Sequence, residues 1–330
     1  MKVWEIDRGE LGFRDVELRR PRPDETEVDV RYAGICGSDL PKLLHLNNFA
    51  LPASWRPGHE IVGTDADGGW VVCDPLVPCQ HCSYCVSGDT HLCPNLGRLG
   101  WDLPGGFAER VILPTANVHP LPGDLDPSFA VLADPAAVAV HGLRCNSVGE
   151  PARVAVVGAG TVGLLTAIYA QEQGWTVTVV HRDSRPPPEA VAAALPASFR
   201  SSGSLTSTET FDLVVDAATG GNAAPLELAV RLTRAGGTIL VQNAYHPGVI
   251  LRTPLRDVFR RSLRLLGSFS YCRRRQPDDF RQALALLARN PGQICHMIAV
   301  IGNLPDLQGV LTDERSIGVR RVLAVDTRRT

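Results

Sequence analysis

Four cysteines, Cys79, Cys82, Cys85 and Cys93, stand in the run PCQHCSYCVSGDTHLC with the spacing C-x2-C-x2-C-x7-C. A chain of 330 residues is long enough to bury its own cores and has no size-driven need for disulfide staples. The spacing therefore points to a metal. Zinc takes four thiolates in a tetrahedron, and two-residue spacers let the backbone curl until successive sulfurs converge on one point. Four protein ligands leave no position open, so a site of this kind supports structure and does no chemistry. It occurs in few enzyme architectures, and the rest of the chain can be read against them.

The length suggests two domains, and 44% hydrophobic residues suffice for two cores. A formal net charge of -2 argues against a nucleic-acid or membrane-surface partner and leaves small molecules or copies of the chain itself. The N-terminus, MKVWEIDRGELGFRDVEL, alternates apolar and charged residues and shows no apolar signal core, and no apolar run reaches the roughly 18 residues a membrane span needs. We read the chain as cytoplasmic. The five remaining cysteines, Cys36, Cys73, Cys145, Cys272 and Cys295, are scattered, which suits a reducing compartment where thiolates meet metals. Lys2 and Lys42 are the only lysines among 33 basic residues, a bias that carries no functional reading by itself.

Periodicity divides the chain. Up to about residue 130, short alternating runs such as EVDVRYAG, GWVVCDP and FAERVILP are punctuated by Gly and Pro and read as an irregular β domain. From about 135 the texture changes. RVAVVGAG (153–160), WTVTVV (175–180), FDLVVDAA (211–218) and GGTILVQNA (236–244) read as buried strands, and TVGLLTAIYAQEQ (161–173) has helical spacing. That alternation predicts an α/β doubly wound parallel sheet. The Pro-, Ser- and Ala-rich stretch after Arg182 holds one helix and one weak strand. After about 272 come an amphipathic helix, DDFRQALALLARN (278–290), and a last strand, RRVLAVD (320–326).

Gly158, Gly160 and Gly163 form G-x-G-x-x-G between the first of these strands and its helix. A tight turn there lets the backbone approach a pyrophosphate, which the helix dipole and the free N–H groups around Thr161 and Val162 then hold. At the adenosine end an acid would bind the ribose 2′-OH and select NAD, but the second strand ends Val180-His181-Arg182-Asp183. His181 and Arg182 suit a 2′-phosphate and favour NADP slightly. Asp183 would take the NAD role if the strand ran further.

Two other segments carry ligand-type residues: GICGSDL, with Cys36, Ser38 and Asp39, and PGHEIVG, with His59 and Glu60. Thiolate, imidazole and carboxylate together suit zinc with an open position. With GICGSD, GHE, the four-cysteine run, GGFAERVILP, VVGAGTVG and LADPAAVAVHGL in this order, nearly the whole chain resembles the zinc-containing medium-chain dehydrogenase/reductase family, the alcohol and polyol dehydrogenases.

The resemblance implies a GroES-like β-rich catalytic domain, residues 1–134 and 273–330, around an inserted Rossmann domain, residues 135–272, with the active site in the cleft between them. It implies two zinc ions per chain and edge-to-edge joining of Rossmann sheets into a homodimer or homotetramer. Cys36 and His59 become catalytic zinc ligands, with Glu60 a third ligand or a carboxylate that exchanges with water. The remaining ligand position falls on Asp134, where alcohol dehydrogenases carry Cys and polyol dehydrogenases Glu. Asp keeps the carboxylate, one methylene shorter, and favours the polyol-like branch. Ser38 matches the hydroxyl that passes the substrate's proton outward, while the family's relay histidine is replaced by Pro41, with His45 a possible substitute. In GSFSYC, Tyr271 matches a substrate-contacting tyrosine, and the arginine before it is Ser270. The function implied is zinc-dependent hydride transfer between NAD(P) and a secondary alcohol or ketone of a polyol, sugar or aminocyclitol. The alternatives are a reductase of conjugated or other carbonyls without catalytic zinc, and a non-catalytic relative.

Overall fold

The computed structural model describes residues 1–7, 9–145, 153–206, 208–218, 220–274, 276–311 and 320–326. They form two compact units, one of residues 1–134 with 273–330 and one of residues 135–272.

In the first unit a mixed seven-stranded sheet is built around the long strand Glu25–Ile35. One branch runs from it through Arg320–Ala324 to Ile298–Asn303, the other through Glu60–Thr64 and Trp70–Cys73 to Val118–Pro120, and Arg110–Pro114 also pairs with Glu25–Ile35. Two small antiparallel pairs, Lys2–Asp7 with Glu10–Asp15 and Leu76–Val77 with Gly97–Arg98, complete its strands. Alternating apolar positions such as Val28, Val30, Ile61, Val71, Val111 and Leu323 turn inward and close a core with Trp55 and Phe107.

In the second unit six parallel strands lie in the order Ser198–Ser201, Thr176–His181, Arg153–Val157, Phe211–Asp216, Thr233–Val241, Arg264–Gly267, the doubly wound order of a Rossmann sheet. Val156 lies between Val179 and Val215 in register, and all three are fully buried. Burying each such valine is worth about 1.5–3 kcal/mol, which is why these strands read as continuous apolar runs. Helices Thr161–Glu172 and Ala224–Leu232 pack against the sheet.

The α/β doubly wound reading and the irregular β reading both hold, with differences at the margins. The strand expected at 236–244 begins earlier, at Thr233. The helix expected at 278–290 spans Asp279–Arg289, and Asp278 caps it by accepting a 2.8 Å hydrogen bond from the Arg281 N–H. The sequence pattern does not show the helices Ala133–Cys145, Ala224–Leu232 and Leu255–Arg260, nor the strands Arg264–Gly267 and Ile298–Asn303. Both strands are sheet edges without fully buried residues, so neither shows a buried-strand pattern.

Candidate active site

Three neighbouring strands of the first unit bring the site together. Gly34 pairs with Glu60 and Ile35 with Arg321, so Cys36 just past one strand, His59 and Glu60 at the start of the next, and Arg320 at the start of the third meet at one end of the sheet. A Cβ on Gly34 would lie 2.2 Å from Glu60 Oε2, so the missing side chain is the space that the carboxylate occupies. Arg320 donates from Nη1 to the Ile35 carbonyl at 2.9 Å and presents Nε to Glu60 Oε2 at 3.2 Å.

Donor atoms of Cys36, His59 and Glu60 all lie within 4.8 Å of one another. Both Glu60 oxygens are buried without a hydrogen bond. Orphaned buried polar atoms converging with a thiol are what a metal ion would satisfy, so thiolate, imidazole and carboxylate fit zinc here. Asp134, in the first turn of the helix Ala133–Cys145, places Oδ2 3.9 Å from His59 Nε2 and stands outside the three-donor group. His59 Nδ1 faces Asp39 Oδ2 at 3.3 Å, and Asp39 is fully buried. Nε2 is thereby the ring nitrogen turned toward the other donors.

The charges are mutually supporting. Burial opposes the Cys36 thiolate, but the positive charges of Arg320 and His59 bring its pKa down to about 6. Burial likewise opposes charging of His59, yet Asp39 and Cys36 hold its pKa well above the ordinary value. Burial holds the Glu60 carboxyl well above its usual range despite Arg320. Ser38 is half-buried in the turn after Cys36, and Pro41 opens the helix Leu40–Leu44. His45 closes that helix and is exposed.

Two residues of this site went unread. In the sequence Arg320 reads as part of a strand, and only strand pairing shows that it reaches Glu60. Lys42 shows in the sequence only as a feature of composition. It is 4% exposed, its Nζ lies 3.1 Å from the centre of the Trp101 ring and 3.8 Å from Asp39 Oδ1, and burial pulls its pKa down to about 8. A lysine three residues after an aspartate, in a chain that otherwise uses arginine, was the available signal.

Farther along the same unit the four-cysteine run folds on itself. The sulfurs of Cys79, Cys82, Cys85 and Cys93 all lie within 4.8 Å, with Cys82 to Cys85 at 3.5 Å and Cys79 to Cys85 at 3.9 Å. Tetrahedral zinc–thiolate bonds set sulfurs about 3.8 Å apart, so the group is already close to that spacing. Backbone N–H groups of His81 and Cys82 lower the Cys79 thiol to about 6, and burial raises that of Cys85.

In the second unit Gly158 follows the first strand with φ +117°, and a Cβ there would lie 2.8 Å from the Ala217 carbonyl oxygen. A Cβ on Gly163 would lie 2.0 Å from the Gly158 oxygen, so this glycine lets helix and strand meet. Gly160 differs: it is exposed, and a Cβ there would meet nothing within 4 Å. No neighbouring atom demands that glycine, unlike Gly158 and Gly163. Thr161 and Val162 open the helix beside it. His181 is the last residue of its strand, and Arg182 and Asp183 follow, exposed. Tyr271, also in this unit, is 2% exposed, and Ser270 before it has φ +54°.

Comparison with known proteins gives this geometry its setting. The family model of the alcohol dehydrogenase GroES-like domain matches residues 22–123. The D-altritol 5-dehydrogenase of Agrobacterium fabrum is 32% identical over 301 residues, covering 86% of each chain. The chain belongs to the zinc-containing medium-chain dehydrogenase/reductase family. Its alcohol and polyol dehydrogenases are NAD(P)-dependent oxidoreductases, and this medium-chain dehydrogenase is an enzyme of that kind. The L-galactonate-5-dehydrogenase of Escherichia coli is 30% identical, covering 84% of each chain. Among solved structures, a zinc-binding dehydrogenase of Sinorhizobium meliloti 1021 bound to NADP superposes with a TM-score of 0.85 at 28% identity over 98% of each chain. A model of FAD-dependent oxidoreductases matches residues 153–297, starting on the strand before Gly158, where NAD- and FAD-binding sheets share one fingerprint. Among the described residues of this dehydrogenase no helix is long and apolar enough to cross a membrane.

Proposed function

We propose that this dehydrogenase transfers a hydride between NAD(P) and a secondary alcohol or ketone of a polyol or sugar at a catalytic zinc held by Cys36, His59 and Glu60. The observation that carries this reading is the convergence of those three donors within 4.8 Å, with both Glu60 oxygens buried and without hydrogen bonds. Asp134 is the fourth group, its carboxylate on the Nε2 side of His59. An aspartate rather than a cysteine at that position supports the polyol branch, and so do relatives named for altritol and galactonate. A second, structural zinc belongs to Cys79, Cys82, Cys85 and Cys93.

Zinc in such a site supplies Lewis acidity toward the substrate oxygen, and the nicotinamide accepts or returns the hydride. The chain's own residues do the rest. Ser38 carries the alcohol proton outward, Asp39 holds His59 in one orientation through Nδ1, and Arg320 holds Glu60 against Gly34. The turn at Gly158 and the backbone N–H groups of Gly160, Thr161, Val162 and Gly163 at the helix start receive the pyrophosphate. His181 and Arg182 take the 2′-phosphate of NADP, which we favour over NAD, and Tyr271 contacts a substrate hydroxyl. Leu255, Phe259 and Leu265, 84%, 82% and 50% exposed on and beside the edge strand Arg264–Gly267, support association of two chains through that edge.

A panel of polyols, sugars and aminocyclitols with NAD and NADP, read by absorbance of the reduced cofactor, tests the reading together with metal analysis. Two zinc ions per chain and turnover of a secondary alcohol are expected. One zinc per chain, or full activity after Cys36→Ala or His59→Ala, refutes it.

A further inference from the structure

We propose that Lys42 is a positioning residue of the metal centre: its ammonium, fixed against the Trp101 ring, draws the electron density of the Asp39 carboxylate toward the oxygen remote from His59 and so limits how strongly His59 donates to zinc. The proposal rests on the reading of Cys36, His59 and Glu60 as the zinc site.

Lys42 is one of only two lysines beside 31 arginines, and unlike the half-exposed Lys2 it is buried. An ammonium shut away from water is costly unless something compensates it. Nζ has no hydrogen-bond partner among the described residues. What it has is the face of Trp101 at 3.1 Å and Asp39 Oδ1 at 3.8 Å. A cation over an indole ring is attracted by the ring's quadrupole, more strongly when both are out of water. Arg98 lies over the same ring at 4.6 Å and is occupied by Asp102 at 2.8 Å.

Asp39 divides its two oxygens. Oδ1 faces Lys42 and Oδ2 faces His59 Nδ1 at 3.3 Å. Lys42, Asp39 and His59 thus stand in line as cation, carboxylate and imidazole, and the line ends on a metal donor. Arginine would change it, because its planar fork takes both oxygens of a carboxylate, whereas lysine is a point charge that can act on one. A carboxylate opposite a metal-bound histidine normally raises the ring's basicity. A cation on the far oxygen withdraws part of that effect and adds a positive charge near the metal. Both consequences weaken zinc binding and leave the metal more electron-poor. Pro41 stiffens the start of the short helix that spaces Asp39 from Lys42.

The test is zinc affinity measured by chelator competition on the full-length chain. The step belonging to this site is identified as the one that Cys36→Ala removes. Lys42→Met should tighten that step about tenfold, the low end of effects seen for groups behind a metal ligand. Asp39→Asn should weaken it by a similar factor, and in the Asp39→Asn background Lys42→Met should no longer tighten it. The cobalt-substituted protein should show a shifted ligand-field spectrum in Lys42→Met. If Lys42→Met does not fold, Lys42→Gln carries the same expectation. A Cys36-dependent step that the Lys42 variants leave unchanged or weaken, or tighten equally in both backgrounds, overturns this proposal alone. Absence of any Cys36-dependent zinc step overturns the zinc site and this proposal with it.

Discussion

Arg320 Nε lies 3.2 Å from Glu60 Oε2, and the two side chains are 6% and 0% exposed. They are 260 residues apart in sequence and meet because the strands that carry them flank the same third strand. Buried pairs of this kind add little net stability over apolar packing, but breaking one leaves a charge alone in the interior. Arg320→Met should therefore destabilise the chain by about 3–5 kcal/mol, measured by denaturant unfolding. Arg320→Met/Glu60→Gln should recover much of that loss without recovering turnover.

Gly160 and Gly163 belong to one motif and should fail differently. A Cβ at Gly163 collides with the Gly158 oxygen, so Gly163→Ala should lower the melting temperature. A Cβ at Gly160 meets nothing in the chain, so Gly160→Ala should keep its melting temperature and bind NADP and NAD at least tenfold more weakly. Calorimetry and cofactor titration on both variants separate the cases. Equal stability and unequal binding in the opposite sense would contradict the reading.

The four-cysteine lobe should behave as structure. Cys93→Ala should lose one zinc per chain by metal analysis and unfold its lobe or the oligomer, since structural zinc supplies folding energy directly. The Arg274–Asp89 ion pair, which ties this region to the returning chain, has an exposed arginine and should not compensate. A stable and fully active Cys93→Ala protein would remove the structural role.

Far from the site, Glu25 accepts hydrogen bonds from Arg19 at 2.5 and 2.7 Å and from the Arg22 N–H at 2.8 Å. The Arg19 guanidinium first, and then this N–H, hold its pKa at about 2, below the ordinary 4.5. A lowered acid pKa means that the unfolded chain takes up protons first as pH falls. The stability Glu25 contributes is therefore present in full above pH about 4.5 and is lost between there and pH about 2. Acid titration of wild type against Glu25→Gln should show a gap that closes over that window. A gap independent of pH would disprove the assignment.

The reading from sequence succeeded where structure follows from neighbours along the chain. Cys79 to Cys93, Gly158 to Gly163 and the helix Asp279–Arg289 are local patterns whose spacing already states how they fold. It was silent on Arg264–Gly267 and Ile298–Asn303, because an edge strand is recognised by the strand beside it and carries no buried run of its own. Cys36, His59 and Glu60 could be named as ligand-type residues from their motifs. That Gly34 must lack a side chain so that Glu60 fits, that Arg320 meets Glu60, and that Lys42 is seated on Trp101, was decided by packing across strands and loops far apart in sequence. The sequence by itself determined the two sheets, the convergence of the four cysteines and the tight glycine turn between strand and helix. The tertiary structure alone decided which charges face one another, because electrostatic partners are set by distance in space, and only folding creates that distance.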